Sequence, residues 1–311
     1  MTQVILNGLF VGSFYALIAL GYSMVYGIIK LLNFAHGDIF MFGAYIGMTC
    51  LVAIPGIGSL GIGALAVILL VSIVLTGTTG VLIEALAYRP LRTAPRLSVL
   101  ITAVGMSFFL EYGVRQIWGP DPQPWPSNGR LSDFLSTTDA TGAKQQLSVP
   151  IFDGALTYSQ LVILAFAVVL MAALALYIGK TREGRAMRAI ALDQRAASLM
   201  GVNVNATISR VFFIGSAMAG VAGVMHGAYY SSITFLMGFL LGLKAFTAAV
   251  IGGIGNLYGA MLGGLTLGLL ESIGTTLLGG EWKDVFAFVF LILFLTVKPT
   301  GILGERVVER M

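Results

Sequence analysis

Two short polar interruptions break an otherwise apolar chain of 311 residues. Asn33-Phe-Ala-His36-Gly37-Asp38 sets an amide, an imidazole and a carboxylate between apolar runs. Gly252-Gly253-Ile-Gly255-Asn256 does likewise in the second half. Paired interruptions in corresponding halves often mark discontinuous helices, whose free N–H and C=O ends can hold a carboxylate and an ammonium. Asn33, His36, Gly37, Asp38, Gly252, Gly253, Gly255 and Asn256 are therefore candidates for translocation or gating. The competing reading is an ordinary turn at each place, with a gating or packing role rather than contact with a substrate.

Lys244 and Glu271 each fall inside an apolar run, where an unpaired charge costs several kcal/mol. They can pair with each other if the fold brings them together. Glu111 and Arg115 are four apart on one helix and can satisfy each other locally. Glu84, near the end of its run, lies close to Arg89 and can reach the membrane interface. His36 and His226 are the only histidines and no Cys/His/Asp cluster has metal spacing, so no metal is expected. A serine hydrolase built from Ser216 or Ser231 with His226 is a poor alternative. The Gly-rich runs lack the Gly-Lys-Ser/Thr ending of a phosphate-binding loop. No cofactor is expected on this chain, and any ATP must be hydrolysed on another subunit.

The elements that would carry these groups are membrane helices. Hydrophobic residues make up 57% of the chain and charged ones 10%, against about 25% in a soluble domain. Mean hydropathy is +0.92. Runs such as 161–178 are apolar on every face, which fits helices and not the alternating strands of a barrel. Nine apolar segments can be marked, at roughly 4–29, 35–54, 61–86, 97–118, 157–179, 207–230, 236–252, 258–279 and 284–297. The seventh and ninth are short enough to be partial or tilted spans. The N-terminal run has no basic flank or clear cleavage site, so it is expected to be retained. Cys50 rules out an internal disulfide and reads as a packing residue.

Basic residues give a direction. Lys30, the group Arg89, Arg92 and Arg96, the group Lys180, Arg182, Arg185, Arg188, Arg195 and Arg210, and finally Lys298, Arg306 and Arg310 fall in alternate loops. If those loops are cytoplasmic, the N-terminus is periplasmic and the C-terminus cytoplasmic. Loop 119–156 then lies outside, with Asp121, Asp133, Asp139 and Asp153 against Arg130 and Lys144. Its prolines at 120, 122, 124 and 126 predict an extended start. Trp118, Trp125 and Trp282 map to the outer interface, where indole rings favour the headgroup boundary. The expected fold is all-α: a polytopic transmembrane bundle of about eight or nine spans, forming a single domain over 1–311.

The one sizeable polar piece inside is loop 180–206. Arg185 to Met200 is rich in strong helix formers, and Gly201 follows where a C-cap would stand. Ala189, Leu192, Ala196, Leu199 and Met200 form an apolar stripe at helical spacing. Such a helix could dock in a groove of a cytoplasmic partner, or could lie at the interface and only orient the protein.

Three stretches, in order, carry a specific resemblance. They are Gly21-Tyr-Ser-Met-Val-Tyr-Gly-Ile leading to Leu32-Asn-Phe-Ala-His-Gly-Asp38; Glu183-Gly-Arg-Ala-Met-Arg-Ala-Ile190 with Ala197-Ser-Leu-Met-Gly-Val202; and Leu243-Lys-Ala-Phe-Thr-Ala-Ala-Val-Ile-Gly-Gly-Ile-Gly-Asn256. Over essentially its whole length the sequence resembles the LivH-type permease subunits of branched-chain amino-acid ABC importers. The resemblance implies a coupling helix against an ATPase subunit, carried here by Asp193, Gln194, Arg195, Ala196, Ala197, Leu199, Met200 and Gly201. It also implies two ABC ATPase subunits, a second homologous permease and a periplasmic substrate-binding protein as partners, in the bacterial inner membrane and with no nucleic acid. Related permeases carry amides, urea or sugars. An ion-coupled secondary transporter is the opposing class, and it would need intramembrane carboxylates as a relay.

Overall fold

The computed structural model describes residues 1–60, 62–92, 94–138 and 144–304. Asp139, Arg306 and Arg310, used above as charge markers, lie outside these. Helices dominate because backbone groups in hydrocarbon must be bonded within their own segment. In chain order they are α1 (Thr2–Ile29), α2 (His36–Ala53), α3 (Ile62–Ile83), α4 (Arg96–Trp118), the single turn α5 (Leu131–Phe134), α6 (Tyr158–Lys180), α7 (Arg182–Leu192), α8 (Gln194–Leu199), α9 (Val204–Tyr230), α10 (Met237–Gly252), α11 (Leu257–Leu278) and α12 (Lys283–Val297). A π-helical turn, Glu84–Tyr88, prolongs α3. Among the described residues seven helices are long and apolar enough to cross a membrane. The remaining two apolar segments form α10 and α12, of 16 and 15 residues. All nine segments are therefore helical, and the two short ones fall where the sequence put them.

The centre of the bundle is α1, which buries residues on every side. It packs antiparallel to α11 along a seam of small residues. A β-carbon on Gly12 would lie 2.9 Å from the Gly264 carbonyl oxygen, and one on Gly268 would lie 2.3 Å from the Gly12 backbone. Lipid tails are as apolar as leucine, so helices in a membrane are held by packing and polar contacts, and small residues let backbones approach. The same device joins α2 to α9, where Gly43 meets Gly220.

The connections gather at two ends. At one end, Arg92 donates to Asn205 Oδ1 at 2.6 Å, and Arg210 pairs with Glu183. Glu84, fully buried, pairs with Arg89 at 2.7 Å and also with Arg92. The expectation for Glu84 is corrected to that extent: its carboxylate stays inside and the arginines reach in to it.

At the opposite end, loop 119–156 folds over the bundle. Strand β1 (Gln123–Pro124) pairs with β6 (Ser232–Ile233), and two hairpins follow, β2 (Ser136–Thr138) with β3 (Lys144–Gln146) and β4 (Ser148–Ile151) with β5 (Gly154–Thr157). The extended start expected from the prolines is present as β1. Trp125 departs from expectation. It is 1% exposed, donates from Nε1 to the Gly129 carbonyl at 3.0 Å, and sits against Gly47 of α2 and Gly227 of α9. It is a plug between helices, because two facing glycines leave a slot that an indole fills. Trp282 is exposed, and Trp118 donates to Thr49 Oγ1 at 3.0 Å.

The α1–α11 seam makes a prediction. Gly268→Ile forces two backbones apart and should lower stability by about 1–3 kcal/mol or more, as over-packing does, measured by thermal unfolding of the detergent-purified protein. Gly105→Ala, at a position with open space around it, should cause no loss. Equal melting of both variants would show that the seam is not tight.

Candidate functional site

The polar segment after α6 is built from successive caps. Thr181 Oγ1 accepts the Gly184 N–H at 3.0 Å and opens α7. Asp193 adopts an extended conformation, ends α7, and starts α8 by accepting the N–H groups of Arg195 at 2.7 Å and Ala196 at 3.0 Å. The Ala196 and Arg195 N–H groups hold the Asp193 carboxyl below the usual carboxylate range. Gly201, at φ 84°, closes α8: its N–H bonds Ser198 O at 3.0 Å and the Val202 N–H bonds Ala197 O at 3.1 Å. This is the Schellman arrangement, in which a left-handed residue is favourable only for glycine.

The single helix expected over Arg185 to Met200 is thus two helices broken at Asp193. An aspartate followed by helix formers competes for their N–H groups and caps a new start. The expected apolar stripe is broken with it. Gly184, Met187, Ile190 and Ala197 face the bundle, while Leu192, Leu199 and Met200 are 90%, 87% and 85% exposed. Gln194, Arg195 and Ala196 are exposed beside them. The result is a short knuckle, fixed at its root by buried apolar residues, with large apolar side chains in the open.

The two polar interruptions have different fates. Residues 33–35 form a buried turn, and α2 begins inside the bundle rather than at its end. Asp38, in the first turn of α2, accepts a hydrogen bond from Ser107, half-way along α4. It also touches the first turn of α10: a β-carbon on Gly238 would lie 2.7 Å from Asp38 Oδ1. Two positively polarised helix starts thereby face one carboxylate, the favourable sign for a helix macrodipole. Tyr88 donates to Asn33 Oδ1 at 3.0 Å, and the His36 ring lies 4.8 Å from that of Tyr22. Asn33 Nδ2, His36 Nε2 and Asp38 Oδ1 are buried and have no hydrogen-bond partner among the described residues. Gly37 is locked between the backbones of Gly238 and Gly242.

Gly252-Gly253-Ile-Gly255-Asn256 is a turn at the end of the bundle. Gly253 and Gly255 have φ of 107° and 94°. Asn256 Oδ1 accepts the Gly259 N–H at 3.1 Å and starts α11. The segment 301–304 closes over this turn: Ile302 and Leu303 donate to the carbonyls of Ile251 and Gly252 at 2.8 and 2.9 Å, and Asn256 Nδ2 donates to Leu303 O at 2.8 Å. No hydrogen bond among the described residues joins this turn to the one at 33–38.

Lys244 and Glu271 do meet, at 3.3 Å, and they have company the sequence reading missed. Lys244 Nζ is 2.5 Å from Asp284 Oδ1, Lys283 Nζ is 3.0 Å from Glu271 Oε1, and Tyr15 donates to Glu271 Oε2 at 2.7 Å. Lys283 and Asp284 are the first two residues of α12, and as charges next to a loop they carried no signal of this contact. Glu111 and Arg115 do not pair among the described residues. The Arg115 guanidinium instead lies over the rings of Phe235 and Tyr112, at 5.5 and 5.9 Å, because α4 turns Glu111 inward and leaves Arg115 exposed.

The family described as "Branched-chain amino acid transport system / permease component" matches residues 4–295. The chain is 44% identical, over 99% of its length and 97% of the relative's, to the high-affinity branched-chain amino acid transport system permease protein BraD of Pseudomonas aeruginosa. It is 43% identical, with the same coverage of both chains, to the corresponding protein LivH of Escherichia coli. A probable branched-chain amino acid transport permease protein LivH of Methanocaldococcus jannaschii is 27% identical over 97% of this chain and 92% of its own. No solved structure matches. An apolar helical bundle, an exposed knuckle at one end and matches along nearly the full length lead to one conclusion: this chain belongs to the branched-chain amino acid transport system permease component family.

Proposed function

We propose that the chain is the membrane-spanning half-pore of an ATP-binding cassette importer in the bacterial inner membrane, moving branched-chain or other neutral amino acids by alternating access. Two separate ATPase subunits supply the energy, a second homologous permease completes the pore, and a periplasmic binding protein delivers the ligand. The N-terminus is periplasmic and the C-terminus cytoplasmic. The substrate class rests on the names of the close relatives, and the basic residues of alternate loops support the orientation.

The observation that carries the mechanism is the knuckle at α8. Three large apolar side chains, Leu192, Leu199 and Met200, stand almost fully exposed beside Arg195, and a partner groove is the ordinary reason to leave them there. Asp193 and Gly201 fix the two ends of α8, Gln194, Arg195 and Ala196 extend the contact surface, and Ala197 faces the bundle. A push on α8 passes through Val202 to the start of α9, and through Glu183–Arg210 between α7 and α9. Asn33, His36, Gly37 and Asp38 form the gate, since two helix starts meet at Asp38 and move apart only if that contact opens. Gly252, Gly253, Gly255 and Asn256 form the hinge of the α10–α11 pair.

Leucine uptake into proteoliposomes holding the full assembly should require ATP and the ATPase subunits. Uptake driven by an ion gradient alone, without them, would sink the importer reading in favour of a secondary carrier. A second expectation concerns α8. Met200→Asp together with Arg195→Glu should reduce co-purification of the ATPase at least tenfold while the permease still inserts in the membrane. Undiminished co-purification would remove α8 as the point of contact.

A further inference from the structure

The group of four charges around Lys244 is larger than the burial of Lys244 requires. Glu271 alone can neutralise it, at 3.3 Å. Glu271 is itself held by Lys283 and by the Tyr15 hydroxyl. Asp284 is the addition: it lies 2.5 Å from Lys244, yet its side chain is 44% exposed, while that of Lys244 is 2% exposed. If the Lys244–Asp284 contact opens, Lys244 keeps Glu271, Glu271 keeps Lys283 and Tyr15, and Asp284 remains half-exposed in the first turn of α12, where a negative charge is favoured. No buried charge is stranded.

The Tyr15 ring adjoins the pair. The Lys244 ammonium is 6.0 Å from the Tyr15 ring centroid, and Tyr15 is buried. Tyr230, itself 45% exposed, stacks against His226 at 4.4 Å and lies 6.5 Å from Phe14. His226 Nδ1 is shielded from solvent and has no hydrogen-bond partner among the described residues.

We propose that the Lys244–Asp284 pair is the site that reads the two charges of a free amino acid on the translocation path. The α-ammonium of the ligand takes the place of Lys244 at the Asp284 carboxylate, and its α-carboxylate takes the place of Asp284 at the Lys244 ammonium. The exchange replaces one opposite-charge pair by two and leaves the site's net charge unchanged. A ligand with one charge alone would add an uncompensated charge among apolar helices, which costs several kcal/mol. The site therefore admits zwitterions and rejects simple acids and amines of the same shape. This inference rests on the amino-acid reading above and assigns it residues.

The test is equilibrium dialysis of radiolabelled leucine against the solubilised permease–ATPase assembly, without the binding protein. Saturable binding is expected, with 4-methylpentanoate and 3-methylbutylamine each competing at least tenfold more weakly than unlabelled leucine. Asp284→Asn should weaken leucine binding at least tenfold. Absence of saturable binding, equal competition by either analogue, or an Asp284→Asn affinity within twofold of the original would overturn the proposal. The competition on the unaltered assembly decides it even if the variant fails to assemble. ATP-dependent leucine uptake by the same assembly with its binding protein tests the parent reading separately. Uptake without charge discrimination would sink this site alone.

Discussion

The close approach of α1 and α11 sets the rest of the structure. In a solvent that offers no hydrophobic drive for helix association, backbone contact across Gly12, Gly264 and Gly268 is the source of packing energy that larger side chains would forfeit. It also fixes distance. Tyr15 on α1 reaches Glu271 on α11 only because the two axes lie so near, and through Glu271 it joins the charges of α10 and α12. The small-residue seam and the polar cluster are parts of one arrangement.

Three buried carboxylates of the bundle, Glu84, Glu271 and Asp38, are each met from more than one side. Glu84 accepts from Arg89, Arg92 and Ser209. Glu271 has two lysines and a tyrosine. Asp38 has Ser107 and two helix starts. Removing one partner from such a cluster leaves the others in place, so these clusters tolerate rearrangement better than isolated pairs would. A transporter that alternates between two shapes needs that tolerance at the points where its helices move.

Hydropathy made the helices legible in the sequence, because a run that is apolar on all faces has few alternatives in lipid. What it could not supply was the rotation of each helix about its axis. Lys244 and Glu271 stand out as misplaced charges in the sequence, yet their meeting depends on how α10 and α11 face each other. Arg115 lies one turn from Glu111, yet α4 points them to different surroundings. Trp125 carries the usual mark of an interface residue, and only the slot between Gly47 and Gly227 makes it a plug. The break at Asp193 was readable: an aspartate ahead of helix formers signals a new start, a signal outweighed there by the helix propensity on both sides. Lys283 and Asp284 resemble any charged loop residues until α12 folds back against α10.

The closure of the α10–α11 turn by residues 301–304 has a consequence for how the molecule is made. A chain entering the membrane from its N-terminus lays down α10 well before those residues exist. The carbonyls of Ile251 and Gly252 do not gain these donors until Ile302 and Leu303 arrive. The last described stretch of the chain thus caps the end of α10, Met237–Gly252, from far along the sequence. A polypeptide released short of Gly301 would lack the N–H groups that the carbonyls of Ile251 and Gly252 accept, so the end of α10 depends on residues far from it in sequence.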